Sequence, residues 1–197
     1  MIVTATTATS VCRALHFQVR GDAMSKFSFS GVKSKNSSYE SIGLDVRPFL
    51  QEEGYRPLFS EQDKNSAAAR WVDVGRLSFV TRLARGEFYV TGEEHLARVR
   101  ATKGIILCGA SICMALWDDY QKYKRGSVLE KYIYGKRDCD SLLFPGDVFE
   151  ASGHRYIMRL SRFAINSKKD LRWQRSYLSL CTESGGTCGR FVVEEGV

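Results

Sequence analysis

The sequence has no apolar stretch long enough to cross a membrane. A transmembrane helix needs about 18 or more consecutive, mostly apolar residues, and the longest candidate, residues 104–117, is shorter than that. Residues 1–19 show no basic segment ahead of an apolar core and no small-residue cleavage pattern behind one, so we expect no secretory signal. We therefore predict a cytoplasmic protein that has no membrane partner.

The signatures of several enzyme and metal-binding classes are also missing. The sequence contains no glycine-rich phosphate loop, no nucleophile elbow and no His-Glu metal helix. None of its cysteines shows the two-residue spacing of a zinc knuckle, and a chain of 197 residues can bury a core without disulfides. We expect reduced thiols and predict no catalytic residue, no cofactor and no metal ion. The scattered cysteines and histidines are Cys12, Cys108, Cys113, Cys139, Cys181, Cys188, His16, His95 and His154.

Composition and charge favour a folded, basic protein. Hydrophobic residues make up 44% of the chain, charged residues 26% and aromatic residues 12%, which is typical of globular proteins and argues against disorder. The net charge of +7 suits a polyanionic partner, either a nucleic acid, an anionic membrane surface or an acidic protein. The same charge is also compatible with a basic protein that is merely soluble.

The most patterned stretch lies between residues 142 and 181. Short apolar or alternating runs are separated by Pro145-Gly146, by Ser152-Gly153 and by residues 166–169. Turn-forming residues at these intervals predict antiparallel strands joined by turns. Residues 77–83 and 87–91 are similarly predicted to pair with each other through a turn at residues 84–86.

Two helices are predicted from spacing and capping. Ile112, Leu116 and Tyr120 recur at intervals of four, which predicts an amphipathic helix over residues 111–124 with its apolar side in the core. Thr91 followed by Glu94 is typical of a helix start.

Together these elements predict an α+β fold, with an antiparallel sheet and one main amphipathic helix packed on a face of that sheet. The sheet is expected mostly from residues 74–91 and 141–194. We assign residues 24–197 to a single domain and residues 1–23 to a poorly ordered leader, with Met24 as a second start.

The strands between residues 151 and 180 carry most of the charge, with seven Arg or Lys against one Asp, a net of +6. Because side chains alternate along a strand, Arg155 and Arg159 share a face, and so do Trp173, Arg175 and Tyr177. Cations neutralise phosphates and aromatic rings stack on unpaired bases, so we predict a non-enzymatic protein that binds single-stranded DNA or RNA. Basic residues in 122–137 are expected to assist. The predicted contact residues are Arg155, Arg159, Arg162, Lys168, Lys169, Arg172, Trp173, Arg175 and Tyr177.

Two other interpretations of this stretch stay open. The same alternation is typical of an ordinary antiparallel sheet with a core face and a solvated face, in which Trp173 packs inward. Aromatic residues beside arginines also form hot spots at protein interfaces, so the chain is alternatively a regulator or inhibitor that docks on an acidic protein surface.

A third interpretation comes from Asp138-Cys139-Asp140, followed by the apolar run 141–144, Pro145-Gly146 and the strand around Phe149. This segment resembles the last motif of ADP-ribosyltransferases. In that family the second acidic residue is a Glu that contacts the nicotinamide ribose and supports an oxocarbenium-like transition state. The resemblance implies that role for Asp140, which is one methylene shorter than Glu, with Asp138 at the first acidic position.

Overall fold

The computed structural model describes residues 41–43, 54–69, 71–134, 141–164, 171–185 and 189–195. The leader predicted at residues 1–23 lies outside these ranges, and the assignment of residues 24–197 to one domain stays a prediction. The described strands are β1 (Ser41–Gly43), β2 (Arg56–Pro57), β3 (Trp71–Asp73), β4 (Leu77–Val80), β5 (Tyr89–Thr91), β6 (Ile105–Leu107), β7 (Ser141–Ala151), β8 (His154–Ala164), β9 (Leu171–Ser179), β10 (Glu183–Gly185) and β11 (Arg190–Glu195). The described α-helices are α1 (Lys64–Ala68), α2 (Gly92–Arg100) and α3 (Ala110–Tyr123), and a π-helical segment follows at Leu129–Tyr134.

The central sheet has the strand order β4-β11-β7-β8-β9, and β2 and β6 pair with β7 and β11 beside this path. β7, β8 and β9 form the antiparallel unit expected from the sequence. β11 runs parallel to β7, with Arg190 opposite Leu142 and Phe191 opposite Leu143, so the sheet is mixed. The chain reaches β11 through β9 and β10, and no tight hairpin turn forces it to run antiparallel to β7. The α+β class is confirmed.

The predicted pairing of residues 77–83 with residues 87–91 is wrong. β4 pairs with β11, and β5 pairs with β10 in a separate two-stranded sheet. The buried side chains of Leu77 and Phe79 explain the position of β4, because they reach the main core only from within the central sheet.

α3 packs on one face of the central sheet, as predicted. Its apolar side chains Ile112, Leu116 and Tyr120 are buried. They share one hydrophobic cluster with Phe144 and Met158 of the sheet. The helix therefore packs its apolar side in the core, as its four-residue apolar spacing predicted.

α2 packs with the opposite face of the sheet. It begins as the sequence predicted, with the Thr91 hydroxyl accepting a hydrogen bond from the Glu94 amide at 3.2 Å. Its buried residues Leu96 and Val99 join a second cluster that includes Leu143 and Ile157. The sheet thus lies between α3 on one side and α2 on the other.

Pro145-Gly146 is not the turn that the sequence predicted. Both residues lie inside β7, at a bulge where the register against β8 shifts between Phe144 and Val148. The Gly146 amide donates to the Cys108 carbonyl at 2.9 Å, and the Gly146 carbonyl accepts from the Asp63 amide at 2.7 Å. Because these bonds join the bulge to other segments, the strand continues instead of reversing.

The chain reverses at Ser152-Gly153, as predicted. Both residues have positive φ, 51° and 75°, which is typical of a two-residue type I′ hairpin turn. One continuous β7 therefore replaces the strand-turn-strand arrangement of the ADP-ribosyltransferase resemblance, and Asp138 and Asp140 lie outside the described residues.

Candidate nucleic-acid interface

Seven of the nine predicted contact residues lie on β8 and β9. Lys168 and Lys169 belong to the connection between these strands and lie outside the described residues. The two strands pair antiparallel from Tyr156 opposite Ser179 to Ala164 opposite Leu171. This register divides the seven residues between the two faces of the sheet.

Three of the predicted residues lie on the α3 side of the sheet, in or against the core. The Trp173 side chain is 3% exposed. An Arg175 Nη1 lies 3.1 Å from the Met114 sulfur on α3. The Tyr177 ring stacks on the Tyr55 ring, with 3.7 Å between centroids and an interplanar angle of 14°. Trp173 and Arg175 therefore contact α3, and Tyr177 packs against Tyr55 and Phe149.

Arg162 lies on the same side, opposite Trp173 in the register. Its guanidinium approaches the Glu130 carboxylate to 3.3 Å, and the two side chains are 10% and 14% exposed. A buried ion pair of this kind needs both partners, because removal of either one leaves an uncompensated charge. Arg162 is therefore committed to the packing of the π-helical segment.

Arg155, at the start of β8, is held by two carboxylates. One of its Nη atoms lies 2.5 Å from Glu93, and the other contacts Glu61, which also binds Arg100 at 2.9 Å. Partial burial acts to raise the pKa of the Glu61 carboxyl, but the hydrogen bonds and charges of Arg100 and Arg155 outweigh it and lower that pKa. This network leaves little positive charge at Arg155 for an external anion.

The remaining two predicted residues, Arg159 and Arg172, lie on the open part of the other face. They belong to a group of three cross-strand pairs that we call the open patch: Arg159 with Ser176, Ser161 with Gln174, and Phe163 with Arg172. The open patch lies beyond Ile157 and Leu178, which pack in the cluster of α2, and none of its six residues is acidic.

Two features of the open patch suit an extended anionic ligand. Arg172 and Gln174 are exposed, and the Phe163 ring is 41% exposed directly opposite Arg172. The Arg159 Nε donates to the Ser176 hydroxyl at 3.0 Å, which orients its guanidinium along the sheet. The patch therefore combines cations, neutral hydrogen-bonding groups and a ring.

The contact residues predicted from the sequence did not include Phe163, Ser161 or Gln174. The signal was present, because position 163 has the same strand parity as 155 and 159 and therefore lies on the same face. Trp173 and Tyr177, which were predicted as the stacking residues, lie on the face that α3 covers.

The described residues offer no clear alternative site of a metal or thiol type. No group of three or more His, Cys, Asp or Glu side chains within the described ranges could hold a metal ion. Cys108 and Cys113 are fully buried, and burial raises the pKa of both thiols. The exposed Cys181 thiol lies 3.9 Å from a ring nitrogen of His154.

Comparisons of this chain with protein-family models, with curated proteins and with solved structures found no match. Among the helices in the part of the chain described above, none has the length and apolar character needed to span a bilayer.

Proposed function

We propose that this protein binds single-stranded DNA or RNA, without catalysis, through the open patch. The observation that carries the proposal is the register pair of Phe163 and Arg172, a half-exposed ring directly opposite an exposed guanidinium. A ring beside a cation is the combination that non-specific single-strand sites use.

The chemistry divides between the two kinds of side chain. Arg159 and Arg172 neutralise phosphates, while the Phe163 ring stacks on an unpaired base, a contact worth about 1–3 kcal/mol. Lys168 and Lys169 follow β8 in the sequence, and together with Asp170 they give the β8–β9 connection a net charge of +1. With roughly two to four phosphates neutralised, the logarithm of the affinity is expected to fall with the logarithm of salt at a slope of about −1.4 to −2.8.

The proposal reduces the nine residues predicted from the sequence to Arg159, Lys168, Lys169 and Arg172, and adds Phe163. Arg155, Arg162, Trp173, Arg175 and Tyr177 position the two strands. We place this activity in the cytoplasm, an inference supported by the free thiols of Cys108, Cys113 and Cys181.

Fluorescence anisotropy with labelled oligonucleotides tests the proposal. Arg172→Ala and Phe163→Ala are each expected to weaken binding at least about fivefold, the equivalent of about 1 kcal/mol. Arg56→Ala is the matched control, because the Arg56 side chain is 81% exposed on β2 and its loss removes the same charge elsewhere. Equal losses for Arg172→Ala and Arg56→Ala, together with unchanged binding by Phe163→Ala, would overturn the proposal.

A further inference from the structure

The loop between β4 and β5 is fastened to α2 at several points. The Arg82 amide donates to the His95 ring at 3.2 Å, and the Arg82 carbonyl accepts from Arg98 at 3.1 Å. Both carboxylate oxygens of Glu87 bind the Arg98 guanidinium, one of them at 3.0 Å. Glu87 also accepts from the Ala84 amide at 2.7 Å. We call residues 81–89, which are the loop and the first residue of β5, the clasped loop.

The clasped loop presents rings and positive charge outward. The Phe88 side chain is 75% exposed and the adjacent Tyr89 is 67% exposed. Arg85, at the tip, is also exposed. Glu87 is the one carboxylate in residues 81–89, against Arg82 and Arg85. Arg98 binds both Glu87 and the exposed Glu94, the latter at 2.8 Å. The loop therefore offers an external ligand two aromatic rings and a net positive charge.

The clasped loop and the open patch border the same face of the central sheet. α2, which holds the loop, covers Ile157 on that face, and its Glu93 amide donates to the Leu180 carbonyl at 3.0 Å near the start of β8. The open patch lies at the other end of β8, around Phe163. From Arg155 to Phe163 the strand advances roughly 26 Å at about 3.3 Å per residue.

We infer that the clasped loop is a second contact for the same single strand, with Phe88 and Tyr89 stacking on bases and Arg85 binding a phosphate. This inference rests on the proposed function of the open patch. Glu87 and Arg98 act as positioning residues, because their ion pair holds the Phe88 and Tyr89 rings in place before the nucleic acid binds. A rigid, preformed contact lowers the ordering cost of binding.

Oligonucleotide length separates the two contacts. Oligonucleotides of about 5 nucleotides suit one contact, and those of about 15 nucleotides are long enough to reach both. The double variant Phe88→Ala/Tyr89→Ala is expected to weaken binding of the longer probe about tenfold and to leave the shorter probe unchanged. Phe163→Ala is expected to weaken both.

Glu87→Gln distinguishes loosening of the clasped loop from a simple change of charge. This substitution makes the protein more positive, so a charge effect alone would tighten binding. Loss of the ion pair between residue 87 and Arg98 would instead loosen the clasped loop and weaken binding of the longer probe. Arg98→Lys is the matched second variant, since it keeps the positive charge but loses the bidentate guanidinium contact to Glu87. We expect both variants to weaken binding of the longer probe about threefold or more, with thermal unfolding used to verify that each is folded.

The possible failures are distinct. If the shorter probe binds in a Phe163-dependent way while the loop variants leave the longer probe unaffected, the second contact is wrong and the open patch stands. If neither probe binds, the proposed function and this inference both fail. Binding of an acidic peptide in place of either oligonucleotide, lost in the Phe88→Ala/Tyr89→Ala variant, would assign the loop to a protein partner and overturn the inference.

Discussion

The Asp147 carboxylate on β7 accepts a hydrogen bond from the backbone amide of Ala110, the first residue of α3, across 2.6 Å. Its second oxygen accepts from the Gln62 side chain at 2.7 Å. Burial raises the pKa of the Asp147 carboxyl, and these two hydrogen bonds oppose that effect without cancelling it. A side chain of the β7 bulge thus caps the main helix, whose own N-cap residue, Gly109, has no side chain to do so.

Removal of this cap is expected to destabilise the protein. Asp147→Ala leaves the Ala110 amide and the Gln62 amide without their acceptor, at a cost of about 2–3 kcal/mol in the free energy of unfolding. Asp147→Asn keeps one acceptor oxygen and removes the buried charge, so we expect a smaller loss. Urea denaturation of the three proteins at neutral pH measures the difference. Equal stability of Asp147→Ala and the parent protein would contradict a capping role.

Gly146, beside Asp147, is expected to tolerate no side chain. A Cβ there would lie 2.2 Å from the Leu107 carbonyl oxygen and 2.7 Å from the Gly109 amide nitrogen, which are backbone atoms that cannot move aside alone. Gly146→Ala should therefore cost about 3 kcal/mol or more. Gly126→Ala is the matched control, since its nearest contact is an ordinary 3.7 Å from the Tyr123 Cβ. Thermal unfolding of both variants provides the comparison, and similar midpoints would refute the close approach.

Local signals in the sequence predicted the local structure well. The spacing of Ile112, Leu116 and Tyr120 located α3, and the Thr91 cap located the start of α2. The type I′ turn at Ser152-Gly153 was also placed correctly. Each of these features depends on residues within a few positions of one another, so the information was present in one short window.

Long-range relationships were not predictable in the same way. Nothing near Pro145-Gly146 indicates that the Asp63 and Cys108 backbones bind there and turn an expected reversal into a bulge. The ion pairs of Arg155 with Glu61 and of Arg162 with Glu130 likewise join segments far apart in the sequence. The sequence therefore identified the basic strands, while tertiary contacts decided which of their arginines face an open surface.

Lys124 is expected to destabilise the protein through its backbone. It ends α3 with φ of 48° and ψ of −114°, a region that strongly favours glycine. Lys124→Gly should therefore raise the free energy of unfolding by about 1 kcal/mol, even though it removes the Lys124 contacts to Gln121 at 2.7 Å and to the Tyr120 ring at 5.0 Å. Arg125→Gly is the matched control, because Arg125 has no positive φ. This control should lose about 0.5–1 kcal/mol. Chemical denaturation measures the expected gain in stability of Lys124→Gly and the expected loss in Arg125→Gly. A loss of stability in Lys124→Gly would show that the backbone strain at Lys124 is absent.

His95 is expected to make stability depend on pH below about 6.5. The side chain is fully buried, with its ring 4.5 Å from the Phe191 ring. Burial and the nearby Arg98 charge lower its pKa to about 4, against a smaller opposing effect of Glu87. The folded state therefore keeps His95 neutral where the unfolded state binds a proton. Its stabilising contribution is complete above pH 6.5 and is lost as the pH falls toward 4, up to about 3 kcal/mol.

Unfolding free energies of the parent protein and of His95→Gln, measured by denaturant titration between pH 7 and pH 5, test this expectation, because the difference between the two profiles isolates His95 from the other titrating groups. In this window the parent protein should lose stability relative to His95→Gln as the pH falls, although the variant starts from a lower value at pH 7. His154→Gln, at an exposed position, is the control and should keep the parent slope. Parallel profiles of the parent protein and His95→Gln between pH 7 and pH 5 would mean that His95 takes up a proton in the folded state as readily as in the unfolded chain, which would contradict a buried neutral imidazole.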